Sequence, residues 1–196
     1  MDISQLFKNN RSWVNDRLEK DENYFRDLSK GQSPKLLYFG CSDSRVIPEK
    51  ILGLEPGDAF VHRNISNLFS ESDPSSNSVL QYAIENLNIV HIVVCGHYGC
   101  GGIDAAIQKT ENVVMNLWLK SINQIIDEHQ KELDLIDSKK EKQNRLVELN
   151  VLEQCKNIQN SAILNKISNS KKIHIYGWVF DINVGKIKDL KFNTDN

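Results

Sequence analysis

The chain has 196 residues, 26% of them charged, and a formal net charge of −2 at neutral pH. That length can bury a sizeable core in one domain, and so even a charge balance gives no strong pull toward nucleic acid or an anionic membrane. No apolar run approaches the roughly 20 residues of a membrane helix, and the start MDISQLFKNNRSW has no apolar signal region, so the expected compartment is the cytosol.

Residues 1–30 read as one or two amphipathic helices, with Ile3, Leu6 and Phe7, then Trp13, Val14 and Leu18, at helical spacing. KGQSP breaks that pattern. KLLYFGCS reads as a buried strand, and GLEPGDAFVHRN as a Pro-Gly turn leading into a short strand. SESDPSSNS is a polar loop whose Ser/Asn end suits a helix cap. VLQYAIENL then has helical periodicity, and NIVHIVVCGH is the clearest buried strand. Helices are expected over 102–108, over VVMNLWLKSINQIIDEH, and from about Lys140 to Ile167. KKIHIYGWVFDINVGKIKDLKF reads as two strands joined by a turn at Asn183-Val184-Gly185. The charged segment 131–145 is read as a solvated helix and loop. Strands alternating with helices predict one α/β domain spanning 1–196. Its sheet should be mainly parallel and flanked by helices, with a helical arm over 1–30 and an antiparallel C-terminal edge hairpin.

Cysteine is sparse: Cys41, Cys95, Cys100 and Cys155. In a chain of this length and compartment they are read as thiols rather than disulfides. Cys95 and Cys155 fall among apolar neighbours and are read as core.

The other two sit in motifs. Cys41-Ser42-Asp43-Ser44-Arg45 follows the first strand, and alternation puts the thiol, carboxylate and guanidinium on one side of extended backbone. His97 and Cys100 follow a second strand as an H-x2-C pair, with glycines that permit tight turns. In an open parallel sheet, ligands bind beyond the carboxyl ends of the strands. If the two strands are neighbours, Cys41, Asp43, His97 and Cys100 converge. Two thiols and an imidazole suit zinc, and the fourth position falls to Asp43 or to water. Neither a Walker-type loop nor G-x-G-x-x-G is present, so nucleotide binding has little support. Cys41 as a nucleophile steadied by Arg45 would leave His97 and Cys100 unexplained.

With these motifs the chain resembles a β-class carbonic anhydrase, most closely of the bacterial branch. The resemblance runs through CSDSRV, GLEPGDAFVHRNISNL, VLQYAIENLNIVHIVVCGHYGCGG and IYGWVFDINVGKIKDL. It implies one Zn2+ per subunit on Cys41, His97 and Cys100, with Asp43 and Arg45 as the catalytic dyad. Asp43 would ligate zinc in a closed form and turn to Arg45 in an open one. The implied activity is reversible hydration of carbon dioxide to bicarbonate by hydroxide at the metal. The implied assembly is a homodimer or homotetramer, with N-terminal helices reaching over a neighbour. No nucleic acid or membrane partner is implied. Some bacterial members hold an inhibitory bicarbonate on a Trp, Arg and Tyr trio. Arg63 matches the arginine, but Tyr38 and Phe180 replace the other two, and Phe180 has no hydroxyl to donate. Two rivals are a CS2 or COS hydrolase on the same scaffold and a zinc-binding regulatory protein closed by Asp43. Among the other histidines, His62 is read as scaffold beside Arg63. His91 and His129 are read as exposed, and His174 as facing away from Ile173 and Ile175.

Overall fold

A computed structural model describes residues 2–167 and 171–192. It divides into two units, Met1–Ser33 and Pro34–Asn196.

The first unit is helical. α1 (Ile3–Lys20) begins at Asp2, whose carboxylate accepts the Ser4 N–H, and it carries Arg17 and Lys20 in its last turn. An acceptor at the start and cations at the end both suit the helix dipole. α2 (Tyr24–Leu28) follows. Trp13 meets Tyr24 and Phe25 edge-on, with centroids 6.4 and 5.2 Å apart. The Arg17 guanidinium lies 5.3 Å from the Tyr24 ring centre. α1 buries none of its residues, and Ile3, Leu6 and Phe7 stand exposed along it.

The second unit is built on five strands among the described residues: β1 (Leu36–Cys41), β2 (Ala59–Asn64), β3 (His91–His97), β4 (His174–Asp181) and β5 (Lys186–Asp189). Their order is β2-β1-β3-β4-β5. The first three pairings are parallel, and β4 with β5 is antiparallel. The chain runs from β1 outward to β2, then returns to place β3 on the other flank of β1. The strand order therefore reverses between β1 and β3, the position at which open α/β sheets bind ligands.

Around the sheet lie α3 (Pro48–Leu52), α4 (Pro74–Glu85), α5 (Gly101–Ile107), α6 (Val113–Trp118), α7 (Lys120–Glu128), α8 (Gln130–Asp134), α9 (Lys139–Gln159) and α10 (Ala162–Ile167). Leu37, Phe39, Ile92, Val94, Ile175 and Val179 share one apolar core with side chains of α4, α5, α7 and α9. Tyr38, Val93, Cys95 and Phe180 form a second cluster on the opposite face, with Ile51 and Leu52 of α3 against it.

Several boundaries differ from the sequence reading. α4 starts inside the segment read as loop, and its cap is Asp73, which accepts from Ser75 and Ser76. Proline fits the first turn because its missing N–H has no partner to lose there. The helix expected over 113–129 is interrupted at Leu119 and ends at His129 as expected. The helix expected over 140–167 stops at Gln159, and Ser161 Oγ accepts the Leu164 N–H where α10 begins. The short α3 went unread because its five residues are too few to show a period.

Candidate metal centre

Cys41 is the last residue of β1 and His97 the last of β3, so the reversal point holds both. Gly99, at φ +71°, turns the chain back so that Cys100 becomes the N-cap of α5. Among the described residues, Cys41, His97 and Cys100 are the metal-capable cluster, with ligand atoms all within 4.8 Å of one another. The two sulfurs are 3.8 Å apart. His97 is wholly buried. Its Nδ1 donates to the Tyr98 carbonyl at 3.1 Å, which leaves Nε2 as the free lone pair. That Nε2 is buried and has no hydrogen-bond partner. A buried imidazole nitrogen without a partner is costly, and a metal ion between it and two thiolates would satisfy it. The donor set therefore fits a metal, and its softness fits zinc.

Asp43 and Arg45 stand beside this cluster. Arg45 donates from Nε to Asp43 Oδ1 at 2.9 Å and from Nη2 to Oδ2 at 2.7 Å, and its main-chain N–H adds a 3.0 Å bond to Oδ1. Asp43 Oδ2 lies 3.7 Å from His97 Nε2. Of the four expected ligands, three form the cluster, and Asp43 faces it while committed to Arg45. The guanidinium holds the Asp43 carboxyl well below the usual carboxylate range. Sharing a hydrogen bond, the two thiols move apart: the bond to Cys100, with burial, pushes Cys41 up, and the bond from Cys41 pulls Cys100 down. The sulfur pair thus holds one proton more readily than two. Burial presses His97 down, and Cys100, the Tyr98 carbonyl and Asp43 together outweigh it to raise the ring.

The rest of the centre comes from residues the sequence reading passed over. Ser66 is fully buried at φ +67°, and its Oγ lies 3.6 Å from Cys100 Sγ. Asn150 Nδ2 donates to the Ser66 carbonyl, and Gln154 takes the Phe69 N–H on Oε1 while donating to Asn150. Tyr98, next to His97, donates its hydroxyl to Glu148 at 2.6 Å. One signal was available: Asn150 and Gln154 sit four apart on α9, amid Val147, Val151, Cys155 and Ile158, where an apolar face was expected to stay apolar.

Arg63 is used differently from the resemblance. It donates from Nε to the Cys41 carbonyl at 2.8 Å and from Nη2 to the Asp43 carbonyl at 2.7 Å, clamping the dyad loop. Phe180 is buried, and Tyr38 is wholly buried with an unpartnered hydroxyl. Cys95 and Cys155 are buried free thiols. His62 is half-buried beside Asn64. His91 is exposed, stacked on His174, with Nδ1 3.0 Å from the Tyr176 hydroxyl. His129 is half-buried rather than exposed, because Glu132 one turn on draws it in at 3.3 Å.

A carbonic anhydrase family model matches residues 36–187. The solved structure of a tetrameric β-carbonic anhydrase from Sordaria macrospora superposes with a TM-score of 0.94 at 35% identity, covering 97% of this chain and 98% of that one. The chain belongs to the β-class carbonic anhydrase family. A carbonic anhydrase of Emericella nidulans is 45% identical over 190 residues, 96% of this chain and 83% of its own length. One from Pseudomonas aeruginosa is 32% identical over 178 residues, 85% of this chain and 77% of its own. Interconversion of carbon dioxide and bicarbonate is the activity that goes with this family, and the Cys41, His97 and Cys100 cluster fits a zinc site for it.

Proposed function

We propose that this chain catalyses reversible hydration of carbon dioxide at a zinc ion held by Cys41, His97 and Cys100, with Asp43 and Arg45 as its acid–base dyad. The observation that carries this reading is the unpartnered His97 Nε2, buried among the two thiols and faced by Asp43. Zinc in that place would supply a Lewis acid able to lower the pKa of a water to about 7.

The chain's own residues do the rest. Asp43, kept ionised by Arg45, accepts a hydrogen bond at Oδ2 from the attacking water and fixes its orientation. Arg45 holds both carboxylate oxygens, which supports an open arrangement with three protein ligands. Arg63 fixes the main chain on both sides of Ser42, so the carboxylate and the Cys41 sulfur keep a constant separation. The Arg45 side chain is 56% exposed, so the dyad borders solvent and a proton has a way out.

The purified protein should contain about one zinc per chain and hydrate carbon dioxide in a stopped-flow assay. Cys41→Ser, His97→Asn and Cys100→Ser should lose both metal and activity. Asp43→Asn and Arg45→Ala should keep the metal while turnover falls about 100-fold or more, the usual worth of a placed acid–base group. A variant of the first set with full metal content, or of the second set with unchanged turnover, removes that residue from its role.

Finer points belong to the same reading. A homo-oligomer, dimer or tetramer, is supported by the tetrameric Sordaria relative and by the exposed Ile3, Leu6 and Phe7 of α1. A reducing compartment such as the cytosol suits a centre whose two sulfur ligands must stay reduced. Within the β class the motifs favour a bacterial branch. The fungal chain at 45% identity gives no support beyond the class itself.

A further inference from the structure

The turn Ile65–Asn67 is held in place more firmly than a connection requires. Ser66 takes φ +67° and Asn67 φ +49°, a left-handed region that side chains other than glycine rarely enter. Four contacts fix the turn: Asn64 Oδ1 accepts the Leu68 N–H, Trp118 Nε1 donates to the Ile65 carbonyl, Asn150 donates to the Ser66 carbonyl, and Gln154 takes the Phe69 N–H. Asn150 and Gln154 are themselves buried. Strained backbone persists where its surroundings over-determine it, and it gathers at functional sites.

The strain places one residue against a sulfur of the cluster. Ser66 Oγ is 3.6 Å from Cys100 Sγ. The close fit extends to α5: a Cβ on Gly102 would lie 2.2 Å from Ser66 Oγ, so glycine is what lets the hydroxyl reach the sulfur. A sulfur that ligates a metal is a thiolate and can accept but not donate. The Ser66 hydroxyl must then be the donor.

We propose that Ser66 is a positioning residue of the metal centre, giving its hydroxyl to Cys100. This rests on the reading of Cys41, His97 and Cys100 as the metal ligands. A donor on a thiolate lowers the energy of the sulfur lone pairs and reduces the charge that sulfur passes to the ion. With such a donor, a centre rich in thiolate keeps more of the metal's acidity than its ligands alone would allow. The same bond holds the Cys100 sulfur at its angle, as outer partners do for metal ligands generally.

Cobalt(II) tests this, because its thiolate-to-metal charge-transfer bands report sulfur electron density directly. Ser66→Gly keeps the left-handed backbone, relieves its strain and removes the hydroxyl, so the fold should hold; Ser66→Ala removes the hydroxyl alone. Both cobalt-loaded variants should show charge-transfer bands at longer wavelength than the wild type. In competition with a chelator, both should bind zinc about 10- to 100-fold more weakly. Wild-type bands together with unchanged variant spectra and zinc affinities overturn the proposal while leaving the metal centre intact. A wild-type protein with no thiolate-to-cobalt bands overturns the centre and the proposal together.

Discussion

At the residue scale, Glu148 shows how a buried charge is made tolerable. It is 9% exposed and accepts from the Tyr98 hydroxyl at 2.6 Å, Lys188 Nζ at 2.7 Å and Arg145 Nη1 at 3.1 Å. Burial alone would raise its pKa, but the bonds from Lys188, Tyr98 and Arg145 outweigh that and lower it from 4.5. Because the folded value is depressed, the stabilisation is present in full above the unfolded pKa and is lost as pH falls through the folded one. Glu148→Gln should therefore cost about 2 kcal/mol at pH 7, the worth of hydrogen bonds to a charged group. Thermal melts of both proteins should draw together as pH falls below 4.5 and the wild-type carboxylate also protonates. A gap that does not narrow at all on acidification would mean the charge is not the source. The sequence could not show this cluster, since Tyr98, Glu148 and Lys188 come from three elements far apart in the chain.

At the element scale, α9 decides how the centre is backed. Its Val147 and Val151 press on β3 at Gly96, one residue before His97. A Cβ on Gly96 would come 2.7 Å from Val151 Cγ2 and 3.2 Å from Val147 Cγ1. Gly96→Ala should destabilise by about 1–3 kcal/mol through overpacking, and Val151→Ala in the same chain should recover a good part of that loss. Denaturant melts of the two single variants and the double variant measure the coupling. Additive losses would show that helix and strand do not meet as described. The existence and type of β1, β3 and β4 were legible from their apolar runs, and so was the hairpin turn. The end at His129 was legible too, but the breaks at Leu119 and Asn160 were not. Apolar spacing carries on across both, and the second is marked only by Ser161 Oγ accepting the Leu164 N–H.

At the scale of the whole molecule, the N-terminal helices leave apolar surface to cover. α1 leaves Phe7 65% and Ile3 60% exposed, an apolar stripe without a buried residue in its helix. Deleting residues 2–20 should lower the solution mass to a smaller oligomer, measured by light scattering on size exclusion, while the sheet unit keeps its zinc. An unchanged mass would remove α1 from the assembly contacts. The fold class itself needed little beyond pattern, because strands alternating with helices have few ways to bury both sheet faces.

Taken by itself, the sequence determined the residues of the candidate metal cluster, their placement at two strand ends, and the family. Those follow from local spacing, and C-x-D-x-R with H-x2-C is a short-range pattern. Only the tertiary structure decided that β1 and β3 are neighbours, that Asp43 faces Arg45, that Arg63 clamps main chain, and that Ser66 reaches the Cys100 sulfur. Each of these joins groups on separate elements or sets a side chain's direction. Such contacts are fixed by how the helices and sheet pack, which residue spacing along the chain does not encode.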